Sequence, residues 1–250
     1  MGSEMCIRDS VGRDHVLSQI EVVKEDLLIG SVDVQSSGGL HFWCQCDVWH
    51  PNGDSKRVDY VKLFSFDDVR AWQLKHGIPT FDSKVHRHPQ FAIDQGHLQS
   101  DVFAACAKYG WLAMKSGDEE GFQHEIKPGE FVDRPWSRVR RGDALIGKVG
   151  MKDQPRYCAS ILWSKPRIYP IMYALKNGET PKKFSVATDF NPIFIEQLHS
   201  YIPGGDKNKK TGVETKTYWR KVKPDDHGFV TSCQSLILAT IHGQYPLPNI

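Results

Sequence analysis

The stretch from Leu27 to Trp49 reads LLIGSVDVQSSGGLHFWCQCDVW. An apolar run, Leu27 to Val34, carries one carboxylate near its end, Asp33. Ser36, Ser37, Gly38 and Gly39 turn the chain, and a second apolar run follows from Leu40 to Trp49. Two apolar runs around a short Gly-rich turn predict a β-hairpin. A charge inside a run that otherwise reads as buried strand is costly unless it is paired or binds a cation. Asp33 is therefore the first candidate for chemistry.

Further on, Pro51, Asn52 and Gly53 mark a turn, and Val58 to Phe66 alternates in part as a third strand. Asp67 and Asp68 open a short helix through Lys75, ended by Gly77, and Ile78 to Gln90 reads as a loop. Phe91 to Asp94 (FAID) is a short apolar strand ending in a second carboxylate. Leu98, Val102, Ala105, Cys106 and Tyr109 recur at helical spacing, Gly110 ends that helix, and Trp111 to Met114 starts another strand. This is a βαβ pattern, in which active groups lie at the carboxyl end of the strand, where Asp94 stands.

Lys115 to Gln154 reads as a long polar, irregular stretch. Pro166 to Leu175 reads as a helix kinked or broken at Pro170, and Phe184 to Ala187 as a short strand. Pro192 to Tyr201 is a helix capped by Asn191, Gly204 to Gly212 an exposed loop, and Thr217 to Val222 an edge-like strand. Asp226 to Ile241 is a final helix with Val230, Cys233, Ile237 and Ile241 as its core stripe.

Composition changes this picture little. The 250 residues, 40% hydrophobic and 25% charged with a net charge of +2, suit one large domain or two small ones of ordinary globular character. Six cysteines show no zinc-site spacing, and most lie in apolar patterns, which reads as a reducing, intracellular protein. No apolar run reaches the roughly 20 residues of a membrane span. Residues 1–26 read as a leader or connector, and Met1 to Ser10 as a non-native scar.

Three acidic positions lie at the edges of apolar elements: Asp33, Asp94, and the pair Asp225 and Asp226 before the last helix. If the first strand and the FAID strand are neighbours, Asp33 and Asp94 face each other at one sheet end. Clustered carboxylates repel unless protonated or bound to a cation, and hard oxygen donors suit Mg²⁺ or Mn²⁺. Two such ions about 4 Å apart clamp the attacking and leaving oxygens of a phosphodiester. Structural alternatives stand beside each: Asp33 in a turn or cap, Asp94 capping the next helix, Asp226 as a simple N-cap. His97 and His227 adjoin acids and could orient a water or a phosphate; His86 and His88 lie in the loop before FAID.

On these residues the chain resembles the C-terminal nuclease domain of the tailed-phage terminase large subunit, the DNA-packaging motor. The matching pieces are LLIGSVDVQ, FAIDQGHLQSDVFAACAKYGWLAMK, RPWS at Arg134 to Ser137, and KTYWRKVKPDDHGFVTSCQSLILATI. The resemblance implies an α/β, RNase H-like fold, with a mixed central β-sheet flanked by helices, over residues 27–250. It implies a two-metal (Mg²⁺ or Mn²⁺) endonuclease cutting double-stranded DNA in the host cell cytoplasm, with Asp33, Asp94 and Asp226 or Asp225 as ligands. The implied partners are DNA, the portal protein, the small terminase subunit and a packaging ATPase domain, with no membrane. The ATPase is expected to belong to a missing N-terminal part, because GGDKNKKTG lacks phosphate-loop spacing.

One departure matters. The family's third acid falls on Val230, which binds no metal. Asp225 or Asp226 substitutes from a turn earlier, or the domain is an impaired module that grips DNA or docks on the portal without cutting. A host-encoded RNase H-like nuclease or resolvase is a further alternative. The basic residues Arg138, Arg140 and Arg141, and Lys207, Lys209, Lys210 and Lys221, are candidate phosphate contacts, against the ordinary reading of a solvated charged face.

Overall fold

The computed structural model describes residues 25–79, 89–143, 157–207 and 214–247, with the side chains of 141–143, 157, 206–207 and 214–217 outside that description. Strands β1 (Leu27–Gln35), β2 (His41–Trp49) and β3 (Ser55–Leu63) form an antiparallel meander. Helix α1 (Phe66–Lys75) follows. Strand β4 (Phe91–Asp94), helix α2 (Gln99–Tyr109) and strand β5 (Leu112–Gly117) make the βαβ unit. The chain continues through β6 (Phe122–Lys127), β7 (Glu130–Arg134), β8 (Arg140–Asp143) and β9 (Tyr157–Ser164). Helix α3 (Lys165–Lys176), strand β10 (Phe184–Ser185) and helix α4 (Pro192–Leu198) follow, then the β11 (Tyr201–Lys207) and β12 (Glu214–Lys221) hairpin and helix α5 (His227–Ile241).

One mixed sheet of eight strands, in the order β10-β3-β2-β1-β4-β5-β9-β8, carries the domain. β4 runs parallel to β1, β5 to β4, and β9 to β5. Because side chains alternate along a strand, each central strand feeds two cores. Leu27 and Ile29 of β1, Trp43 and Trp49 of β2, and Ala92 of β4 pack with Phe229, Leu236 and Ile237 of α5. Val32, Val34, Phe42, Cys44, Phe91 and Ile93 pack on the opposite face with Val69 and Trp72 of α1 and Val102 and Cys106 of α2. The domain is a mixed α/β layer structure with helices on both faces of the sheet.

The first hairpin, FAID, α2 and the last helix stand where the pattern puts them. α5 differs in kind: it is buried nearly all round, from His227 through Ala239, so its core is a cylinder and not a stripe. The third strand is displaced toward its start. Trp49 pairs with Ser55, and at the far end Ser65 Oγ accepts from Asp68 N at 3.0 Å, so helix geometry takes Phe66 from the strand.

Three readings are corrected. Lys115 to Gln154 is not irregular where described: β5 runs on to Gly117, and β6 and β7 form a hairpin turning at Pro128–Gly129, with Gly129 at φ 78°. This hairpin is mostly exposed, so it lacks the apolar alternation that would reveal it. Gly204 to Lys207 is strand β11; Gly204 leaves room for the Tyr218 ring of β12, which an added Cβ would meet at 2.9 Å. α3 is not broken at Pro170 but continues through it, held by buried Ile168, Tyr169, Ile171 and Met172 around it. No local sequence signal marks strand β9. It is flanked by β5 and β8, and its apolar run YCASILW shows no period.

Phe229 is fully buried, with edge-on contact to Tyr169 at 5.0 Å and close packing on Tyr201 at 5.2 Å. Phe229→Ala is expected to cost about 3–5 kcal/mol, read as a lower urea midpoint at unchanged slope.

Candidate metal centre

β1 and β4 are parallel neighbours, with Gly30 opposite Phe91, Ser31 opposite Ala92 and Val32 opposite Ile93. One step further the same register brings Asp33 beside Asp94. Each is in phase with the residues that face α5, Ile29 on β1 and Ala92 on β4. Two carboxylates therefore lie on the same face of adjacent strands at their carboxyl ends, and both are largely buried, at 5% and 9% exposure.

Asp33 is neither a turn residue nor a cap. Its Oδ2 accepts from Gln35 Nε2 at 2.9 Å and lies 2.5 Å from His227 Nδ1. His227 is the first residue of α5, and its ring stacks on Trp43 (centroids 5.7 Å apart, planes 14° apart). Trp43 is the cross-strand partner of Asp33 and stacks in turn on Tyr60. The imidazole is thus held by an aromatic face and by a carboxylate. Its Nε2 looks outward to Asp225 Oδ1 at 3.8 Å.

Asp94 does not cap α2. Its Oδ2 accepts from Gly96 N at 2.8 Å, closing the turn that leaves β4. The position ahead of α2 is filled by Leu98, at φ 51°, with no side-chain cap. Burial pushes the Asp94 carboxyl up to about 7, and the negative charge of Asp33 pushes the same way; the Gly96 amide, Lys115 and Lys165 offset part of this.

The remaining residues singled out by sequence are placed as follows. Asp226 precedes α5 without making a capping bond. Its carboxylate accepts from the Tyr201 hydroxyl at 2.7 Å and pairs with Lys221 Nζ at 2.8 Å. Asp225 is solvent-exposed, its link to Asp33 running through His227. Val230 is half-buried in the first turns of α5. His97 is exposed on the turn after Asp94, and His86 and His88 lie outside the described residues. Arg138 and Arg140 are exposed. Arg140 pairs with Ser160 of β9 from β8, and β8 lies three strands from β4, roughly 14 Å across the sheet. Arg141 and Lys207 are described in backbone only, and Lys209 and Lys210 lie outside the described residues. Lys221 is occupied by Asp226. His227 is the member of the site whose weight the sequence understated; its signal was the acidic pair just before it, at the start of an apolar helix.

No family model, no curated protein and no solved structure matches this chain.

Two neighbouring carboxylates, one of them driven toward its neutral form by burial and by the other, make a site that a hard cation relieves. No group of three or more His, Cys, Asp or Glu side chains among the described residues is gathered around one point. The residues therefore fit a cation held by Asp33 and Asp94, its other positions left to water or phosphate oxygens. A second ion needs a further donor.

Asp94 binds its proton more tightly in the folded chain (about 7) than at the ordinary carboxylate value of 3.8. Its contribution to stability is therefore largest below about pH 4, falls as pH rises toward about 7, and is flat above. Urea titrations from pH 4 to 8 are expected to show this fall in the parent and a smaller one in Asp94→Asn, the difference lying in that window.

Proposed function

We propose that this chain is a metal-dependent endonuclease domain of RNase H-like fold that acts on double-stranded DNA, of the kind found in the tailed-phage terminase large subunit. The observation that carries the proposal is the placement of Asp33 and Asp94. An antiparallel β3-β2-β1 meander is continued by parallel β4 and β5, and one carboxylate stands on the same face at the carboxyl end of each of the two central strands. Strand order and carboxylate positions both agree with an RNase H-like nuclease.

In this reading Asp33 and Asp94 hold Mg²⁺ or Mn²⁺. A cation held there would supply Lewis-acid chemistry, activating a water and offsetting charge on the phosphate. The chain's own residues do the rest. Asp33 is fixed in direction by Gln35 and His227, so the pair presents oxygens without a reorganisation cost. Asp94 has its second oxygen free of the Gly96 bond. Asp225, exposed next to His227, is the carboxylate nearest in chain to completing a two-ion set, because Asp226 is already engaged by Tyr201 and Lys221. Arg140, exposed on β8, is a candidate phosphate contact away from the cut, and Lys207, Lys209 and Lys210 are further candidates by sequence. The partners in this reading are DNA, the portal protein, the small terminase subunit and an ATPase domain, in the host cytoplasm.

A second reading is a DNA-gripping or portal-docking module that does not cut. Val230 in place of the third acid, and the engagement of Asp226, favour it.

Supercoiled plasmid with Mn²⁺ or Mg²⁺ separates the two. The nuclease reading expects nicking and linearisation by the parent, lost at least about 10³-fold in Asp33→Asn and Asp94→Asn, with a smaller loss in Asp225→Asn than in either. DNA retention in a gel-shift without cleavage at any metal concentration supports the second reading; cleavage that survives Asp33→Asn removes this site from the chemistry. Without DNA, Mn²⁺ is expected to raise the melting temperature of the parent at pH 7.5 and to leave that of Asp94→Asn unmoved.

A further inference from the structure

α5 leads away from the acid pair. Thr240 lies 13 residues beyond His227, about 20 Å along the helix. Beside that far end a cleft of about 520 Å³ opens between α5, the base of the β6–β7 hairpin and the segment entering β8. Its floor is apolar and buried, made by Leu112, Ile161, Leu238 and Trp136. Its rim carries Arg134, Arg138 and Val139 on one side and Thr240, Ile241 and Gly243 on the other.

Two features of this lining point to an occupant. The first is charge. Arg134 and Arg138 are exposed guanidinium groups, and no carboxylate lines the cleft among the described residues. Arg134 rests over the Trp136 ring at 5.7 Å, which orients it without neutralising it. Arg138 donates to the Glu125 carbonyl at 3.0 Å and lies 4.0 Å from the Glu125 carboxylate, an exposed separation at which an ion pair is worth little. His124 spends its Nε2 on the Trp136 carbonyl. The second feature is continuity with an edge. Among the described residues β8 ends the eight-stranded sheet, paired with β9 on one side, and it begins one residue after Val139. Val139 itself is 59% exposed although it adjoins an apolar floor.

We propose that this cleft and the β8 edge form a docking site for an extended acidic segment of another protein, with an aliphatic or aromatic side chain seated beside Val139 and carboxylates on Arg134 and Arg138. A cleft of this volume admits one or two side chains. An extended segment suits the edge, because its main chain can pair with strand groups while alternate side chains enter the cleft. Cations around an apolar floor select against neutral hydrophobic segments, which leave both guanidinium groups unpaired, and against polyanions without side chains, which leave the floor wet. The inference stands apart from the nuclease reading, since it uses neither Asp33 nor Asp94.

The test is an amide-shift titration of the full ¹⁵N-labelled chain with a blocked octapeptide of alternating Asp or Glu and Leu or Phe. Saturable shifts at Arg134, Ser137, Val139, Thr240 and Gly243 are expected. Binding is expected to weaken about tenfold in Arg134→Glu and in Val139→Asp, and to weaken as salt rises. Both side chains are exposed, so circular dichroism of each variant should match the parent. Absence of saturable shifts, shifts elsewhere on the surface, or unchanged affinity in Val139→Asp overturns the proposal. Equal displacement of the peptide by a short DNA duplex or by polyphosphate also overturns it, and makes the cleft part of a polyanion surface.

Discussion

The parallel pairing of β1 with β4 is the constraint on which the rest of this structure depends. Once Val32 stands opposite Ile93, the next residues in each strand are both aspartates, on the same face and both largely buried. Neither can turn away: alternation along a strand fixes the side, and the register fixes the level. The two negative groups therefore share one small low-dielectric volume, and the higher proton affinity of Asp94 is the direct result. A fold that keeps such a pair keeps an electrostatic cost that a hydrophobic replacement would remove. In the proposed nuclease reading, cation binding turns this cost into use.

The second constraint is the seating of α5. This helix meets the sheet through polar groups as well as apolar ones. Gln45 Nε2 donates to both oxygens of Asp47, and Asp47 pairs with Arg57 at 2.6 Å. Thr231 donates to Gln45 Oε1 at 2.6 Å, and Trp49 Nε1 donates to Ser235 Oγ at 2.9 Å. All of these groups are buried, so sliding α5 by a turn would leave several of them without partners at about 1–3 kcal/mol each. A buried ion pair such as Asp47–Arg57 adds little net stability, but together with its neighbours it fixes where α5 lies along the sheet. That position in turn delivers His227 to Asp33. The far end of the same helix forms one wall of the cleft, so one docking event shapes both regions.

Much of this was legible in the sequence. The hairpin around Ser36–Gly39, the FAID strand, helix α2 and the final helix rest on local signals: apolar periodicity, glycine turns and a change of period from two to 3.6. Elements with weak local signals escaped. The β6–β7 hairpin is exposed on most positions, β9 has an apolar run without alternation, and β11 is held by β12 against a glycine-rich composition that argues for a loop. The end of the third strand was set by Ser65, whose hydroxyl bonds forward into α1 and not back into the sheet.

Asp33 was marked by the sequence itself, because one charge in a continuous apolar run needs an explanation whatever the fold. Asp94 was marked too, at the end of a strand in a βαβ pattern. What no local pattern contains is how such residues meet. The sequence separates Asp33 from His227 by 194 positions, and only the packing of α5 on β1 brings them to 2.5 Å. The tertiary structure likewise gives Asp225 and Asp226 different partners. It gave Asp226 to Tyr201 and Lys221 and left Asp225 beside His227. Periodicity and turn chemistry act over a few residues and determine elements. The partners of a buried charge are fixed by register and helix seating, which are properties of the assembled core.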